Sequence, residues 1–134
     1  MDEDLDLLLL TAEEFHGHLG PFLILGLRAG LRAVKIFGRK PLSMKAIVKL
    51  ERRVPYTCFL DGIQLVTGCT LGKQNIEVME GDGIQALFIL EGKRLQIEVR
   101  REVIELAERA EDQRGMALRF MKADAGELFK EKII

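Results

Sequence analysis

The chain has no tryptophan, one tyrosine, one asparagine, two histidines and two cysteines in 134 residues. Aromatic residues make up 6% of it, which leaves little for base stacking and predicts an aliphatic core. It has no excess of positive charge: 20 basic residues against 21 acidic ones give a net charge of −1. Nucleic acids and anionic membrane surfaces are bound through a basic excess, so neither is an expected partner. There is no long apolar run. Leu7 to Leu10 is four residues, preceded by the acidic stretch Asp2-Glu3-Asp4-Leu5-Asp6, and reads as neither a secretory signal nor a membrane span. Two cysteines eleven positions apart make no disulfide framework, so a reducing, cytoplasmic setting is expected.

What is present describes an ordinary globular protein, 48% hydrophobic and 31% charged, and no linker divides it. A single domain over residues 1–134 is expected, long enough for a real core. Thr11-Ala12-Glu13-Glu14 has the form of a capping box that starts a helix. Gly20-Pro21 should break that helix. From Phe22 to Phe37 apolar residues recur at helical spacing, with Gly26 and Gly30 one turn apart, so another backbone has room to approach that stripe. Gly38 and Pro41 end it. Lys45 to Glu51 alternates like a strand, and Phe59 to Val66 is a short helix with Thr57 as its cap and Gly68 as its stop.

Ile76 to Glu80, Ala86 to Leu90 and Leu95 to Val99 read as three strands of a meander, joined at Gly81-Asp82-Gly83 and Glu91-Gly92-Lys93. The continuous apolar run Ala86 to Leu90 suggests a strand covered on both faces. A helix from about Glu102 to Lys122 and a short one within 124–134 complete the chain. The order predicts an α+β fold, an antiparallel sheet flanked by helices.

Residues able to do chemistry gather in two places. His16-Gly17-His18 holds both histidines. In one rigid helix, positions two apart point about 200° from each other, so only a break at Gly17 lets both rings share a target. A plain surface or structural pair is the alternative. The second place is Cys58 to Asn75. Cys58 falls at a helix start, where the dipole lowers a thiol's pKa, although a buried inert cysteine is equally compatible with the residue alone. Cys69 lies ~15 Å further along that helix axis, which rules out one ion shared by both thiols within one copy of the chain. Asp61 and Gln64 fall on one face and suit orienting a ligand or a histidine, or a solvated stripe. Thr70-Leu71-Gly72-Lys73-Gln74-Asn75 lacks the first glycine and trailing hydroxyl of a P-loop, which excludes that class and leaves an oxyanion or carboxylate cradle made by backbone amides and Lys73.

In order, Phe15-His16-Gly17-His18-Leu19-Gly20-Pro21, Gly26, Gly30, Cys58, Asp61-Gly62-Ile63-Gln64 and Thr67-Gly68-Cys69-Thr70-Leu71-Gly72-Lys73-Gln74-Asn75 resemble the FmdE-like family, named for the E-subunit of formylmethanofuran dehydrogenase. The resemblance covers roughly residues 12 to 100. It implies an α+β core forming an intertwined homodimer, and a place beside the molybdenum or tungsten enzyme of one-carbon metabolism in methanogens and their relatives. Other subunits of that dehydrogenase are the partners it suggests. It also implies a metal or redox cluster, which His16, His18, Cys58 and Cys69 match. Two departures stand out: Gly20 takes the place of the cysteine in the family's His-Gly-His-x-Cys-Pro, and no cysteine follows Cys69, so the zinc ribbon that many members carry is not expected in these residues.

The resulting expectation is a divalent metal, zinc by default, on His16, His18 and Cys58, leaving one coordination position open. Asp61 and Gln64 support those ligands, and Gln64, Thr67, Cys69, Thr70, Lys73 and Asn75 face a bound ligand. A catalytic alternative uses Cys58 as nucleophile or redox thiol, with Asp61 and a histidine base. A non-catalytic regulatory dimer is the third reading.

Overall fold

The computed structural model describes residues 2–134. Its elements in chain order are α1 (Asp2–His16), α2 (Pro21–Phe37), β1 (Lys45–Leu50), α3 (Cys58–Thr67), β2 (Ile76–Glu80), β3 (Ile84–Leu90), β4 (Lys93–Val99), α4 (Arg101–Arg109), α5 (Gln113–Lys122), α6 (Ala125–Leu128) and β5 (Phe129–Ile133). No helix among the described residues is long and apolar enough to cross a membrane.

Local signals place most of these elements, with two exceptions among the helices. Thr11 does not start a helix; it lies inside α1 and donates its hydroxyl to the Leu7 carbonyl at 2.8 Å. A threonine that bonds back one turn does not need to cap. The helix expected over 102–122 is two helices, because the chain leaves helical geometry at Ala110 and Asp112 caps α5, accepting from Gly115 N at 2.9 Å.

The α+β class is observed, but the sheet is mixed rather than antiparallel, in the order β2-β1-β3-β4-β5. The expected meander fails at its first step. β2 pairs with β1 in parallel, Val48 opposite Val78, and β3 pairs with β1 antiparallel, Val48 opposite Ala86. β1 thus occupies the slot between β2 and β3. The Gly81-Asp82-Gly83 turn is real, yet it passes over the end of β1, where Gly81 N donates to Leu50 O at 3.0 Å. A parallel pair needs a long crossover, and α3 supplies it. The tail also departs from expectation. After the four-residue α6, the chain extends as β5 along β4, with Phe129 opposite Val99 and Leu95 opposite Ile133. Arg32 fixes that strand with a two-pronged bond to Glu131, at 2.7 and 3.0 Å.

One sheet face is closed. Ala46, Val48, Leu50, Ile84, Ala86, Phe88, Leu95 and Ile97 are buried on it. The opposite face holds Ile47, Gln85, Leu87, Ile89, Gln96 and Glu98 in half-buried positions. β3 is therefore covered on one face only, although its sequence reads as apolar on both.

The tightest packing joins α2 to α3. A Cβ at Gly26 would lie 1.9 Å from the Phe59 carbonyl oxygen, and one at Gly62 would lie 2.3 Å from Leu27 N. The two helices pass backbone against backbone, each using a glycine. The approach foreseen for the Gly26 stripe comes from within the fold. Phe59 and Ile63, both fully buried, lock α3 down; each contributes roughly 1.5–3 kcal/mol by leaving water. The rigid α2–α3 pair holds the chemistry-bearing residues of α3 beside the end of α1.

Candidate functional site

α1 ends at His16 because Gly17 takes φ 104, a backbone region that side-chain-bearing residues avoid. Gly17 N donates to Glu13 O at 2.8 Å and closes the helix. The chain then reverses enough to bring the two imidazoles together, ring centroids 5.0 Å apart and tilted by 43°. His16 Nδ1 lies 2.6 Å from Asp61 Oδ2, and the His16 side chain is 9% exposed against 35% for Asp61. A carboxylate accepts and does not donate, so the proton of this bond sits on Nδ1 and Nε2 carries the lone pair of the neutral ring.

Cys58 opens α3, one turn before Asp61. His16, His18, Gly20, Phe22, Cys58 and Gln113 line one small pocket of about 60 Å³. Gly20 belongs to it directly: a Cβ there would meet His18 Cε1 at 2.8 Å and Gln113 Oε1 at 3.6 Å. The His18 ring therefore rests on the bare backbone where the resembling family has its cysteine. Phe22 stacks on Tyr56 at 5.1 Å, and the Tyr56 hydroxyl donates to the Glu108 carboxylate. Burial first, and then that bond, push the Tyr56 phenol up to about 12, so it stays a neutral donor beneath the pocket.

The Cys58 thiol does not have the low pKa expected of a helix start. Burial pushes it above the ordinary 9.0, and the nearby Asp61 charge pushes it further in the same direction. Thr57, which was expected to cap α3, makes no side-chain capping bond. This environment does not favour a Cys58 thiolate at neutral pH. Alkylation of Cys58 by iodoacetamide in the metal-free protein should be slower at pH 7 than that of a cysteine in an unstructured peptide. It should rise only as pH exceeds the ordinary thiol range. A rate at pH 6–7 above the peptide's would reverse that conclusion.

The other end of α3 is a separate place, and both cysteines are free. Gly68, in the left-handed region at φ 76, donates to Gln64 O and ends the helix as expected. Thr67 and Cys69 are fully buried and spend their polar atoms inside the fold: Thr67 Oγ1 donates to Ile63 O, and Cys69 Sγ donates to Met44 O at 3.4 Å. They frame the loop rather than face a ligand. Asn75 does the same, accepting from Thr70 N at 2.8 Å and donating to Pro41 O and Met44 O. Gln64 Oε1 accepts from Leu71 N at 2.9 Å, away from the histidines it was expected to support. The backbone amides of Thr70 and Leu71 are thus already satisfied, and the expected amide cradle is not available. Gln64, Thr70 and Lys73 nevertheless line an open cleft.

Gln113 and Arg39 carry no signal in the sequence. They reach the two places from segments with no motif, and only the fold brings them there.

A family model described as FmdE, molybdenum formylmethanofuran dehydrogenase operon, matches residues 15–132. A protein of Archaeoglobus fulgidus named "Probable S-adenosyl-L-methionine-binding protein" is 38% identical over 88 residues, which cover 64% of this chain and 24% of that protein. The chain thus matches about a quarter of that curated relative's length. The crystal structure of a tungsten formylmethanofuran dehydrogenase FmdE-like protein from Syntrophus aciditrophicus matches with a TM-score of 0.66, over 97% of this chain and 71% of that one, at 15% identity. That likeness is one of fold. The family match runs from the last turn of α1 through nearly all of β5 and takes in the His-Gly-His break, α3 and the loop after it. On that extent, this chain belongs to the FmdE family.

Proposed function

We propose that this chain is a metal-binding accessory domain of molybdenum- or tungsten-dependent one-carbon metabolism, with zinc held by His16, His18 and Cys58. The observation that carries the reading is the His16–Asp61 bond. A metal-ligating histidine typically donates its other ring nitrogen to a carboxylate, which fixes the tautomer and strengthens the ligand. Here Nδ1 is spoken for, and the remaining nitrogen belongs to a ring that lines the same small pocket as His18 and Cys58.

The donors fit zinc in kind: two imidazoles and a thiol are the ligands a borderline-soft divalent ion selects. In position they do not yet form a closed set. Among the described residues, no group of three His, Cys, Asp or Glu side chains stands close enough to hold an ion. Bound by these donors, zinc would supply a Lewis acid with an open coordination position. The chain's own part is to hold His16 by Asp61, to keep the pocket narrow with Phe22, and to place Gln113 at its edge.

Family membership supports the accessory role, with other dehydrogenase subunits as partners. The half-buried Ile47, Leu87 and Ile89 on the open sheet face, and the exposed Leu7 and Leu10 on α1, support a homodimer. The setting would be the cytoplasm.

The test is calorimetric titration of zinc into chelator-treated protein, purified without a histidine tag. One zinc per chain should bind, and His16→Ala and Cys58→Ser should each weaken it at least about tenfold, as loss of a ligand does. No binding, or an affinity the two variants leave unchanged, overturns the metal reading. Sedimentation of the same sample addresses the dimer, which a monomer mass at micromolar concentration would remove.

A further inference from the structure

The cleft at the C-terminal end of α3 is independent of the metal pocket, and its walls have an unusual composition. It measures about 440 Å³, several times the volume of the histidine pocket, and it is lined by Phe15, Arg39, Pro41, Leu65, Leu71 and Lys73 among others. No acidic residue lines it. Neither Arg39 nor Lys73 forms an ion pair among the described residues; most of the chain's 20 basic residues share that, and what distinguishes these two is that both line one cleft with no acidic neighbour.

Both cations are held in place without being neutralised. Arg39 Nε donates to the Val66 carbonyl at 3.0 Å, which anchors the guanidinium and leaves its terminal nitrogens unspent. One of those nitrogens lies against Gly68, with 3.2 Å between it and the position a Cβ would take there. Lys73 Nζ donates to Thr70 Oγ1 at 2.8 Å. The loop carrying it is stiffened by the Asn75 and Gln64 bonds to the Thr70 and Leu71 amides.

Two apolar side chains of the cleft are open to a ligand. Phe15 is 57% exposed and Leu71 is 74% exposed. A paired cationic wall beside an aromatic and a leucine side chain matches a ligand with an anionic end and an apolar or flat body.

We infer that this cleft binds a small organic anion, a carboxylate or phosphate on an apolar body, with Arg39 and Lys73 on the anionic group and Phe15 and Leu71 against the body.

The test is amide chemical-shift mapping of the full chain with phenyl phosphate, benzoate, inorganic phosphate and phenol as probes. Phenyl phosphate or benzoate should shift the Leu71, Gly72 and Lys73 amides and bind at least about tenfold more tightly than inorganic phosphate or phenol, because both ends of the ligand contribute. Whichever of the two binds tighter assigns the anionic group. Lys73→Gln and Arg39→Gln should each weaken that binding by about tenfold, the usual cost of one charge-assisted hydrogen bond. Lys73 is exposed, so its variant should fold normally. Binding no tighter than that of inorganic phosphate alone would mean surface charge only and overturns the inference. So does binding matched by phenol, or binding that survives both substitutions.

Discussion

Gly26→Ala should destabilise the protein by at least about 3 kcal/mol, at the top of the range for overpacking, because its methyl group meets backbone and not a side chain that can swing away. The new carbon would fall 1.9 Å from the Phe59 carbonyl oxygen and 2.7 Å from its carbon. Relief would require α3 to retreat from α2. That retreat would lift Phe59 and Ile63 out of the core and pull Asp61 away from His16, so one methyl group would damage both stability and the site. In urea denaturation the midpoint should fall sharply with the slope unchanged. Gly72→Ala is the control: nothing lies within 4 Å of a Cβ there, and its effect should stay within about 0.5 kcal/mol. If Gly26→Ala were to cost no more than Gly72→Ala, the backbone contact between α2 and α3 would be wrong.

Asp61→Ala should lower zinc affinity by roughly 10- to 100-fold while leaving the fold intact, the usual consequence of removing the carboxylate behind a metal-bound histidine. The Asp61 side chain is 35% exposed and its carboxylate is bonded to His16 Nδ1, so little packing is lost. Three effects act in the same direction: the ring is no longer oriented, the tautomer with Nε2 free is no longer favoured, and a negative charge beside the ion is gone. Nitrogen chemical shifts of His16 report the tautomer directly and separate positioning from general damage. Burial holds the Cys58 thiol up first and the Asp61 charge second; the substitution removes the second cause, so alkylation of Cys58 near neutral pH should accelerate. An unchanged zinc affinity with an altered His16 tautomer would show that Asp61 positions the ring for something other than a metal.

The two results bear on different parts of the sequence. The Gly26 stripe is visible there as a place for close approach, since two glycines one turn apart remove bulk from a helix face. What approaches is not visible, because Gly62 and Phe59 carry no mark that pairs them with residue 26. The His-Gly-His segment is likewise legible as a break, because glycine alone enters the φ 104 region at no cost. The chemistry on either side of that break is less so. Cys58 looks activated from its place at a helix start, and its environment opposes that, since burial and a carboxylate one turn away outweigh a terminal dipole.

The loop after α3 shows the same limit. Its polar residues suggest contacts with a ligand, but Asn75, Thr67 and Cys69 serve the loop itself. Polarity in a short segment is equally what an internal hydrogen-bond framework needs. The charged groups left over for a ligand, Arg39 and Lys73, come from two different connections.

Composition and periodicity determined the class of the fold, most of the helices and strands, and the positions of the turns at Gly38, Gly68 and Gly81–Gly83. These are properties of local geometry, which a residue and its near neighbours set. Only the tertiary structure decided that β1 lies between β2 and β3, that the last residues extend along β4, and that His16 meets Asp61 across 45 positions while Gln113 reaches the same pocket. A strand's alternation records which face is buried and says nothing of its neighbour. The neighbour is chosen by the packing of the whole core, and the candidate site is assembled by that choice.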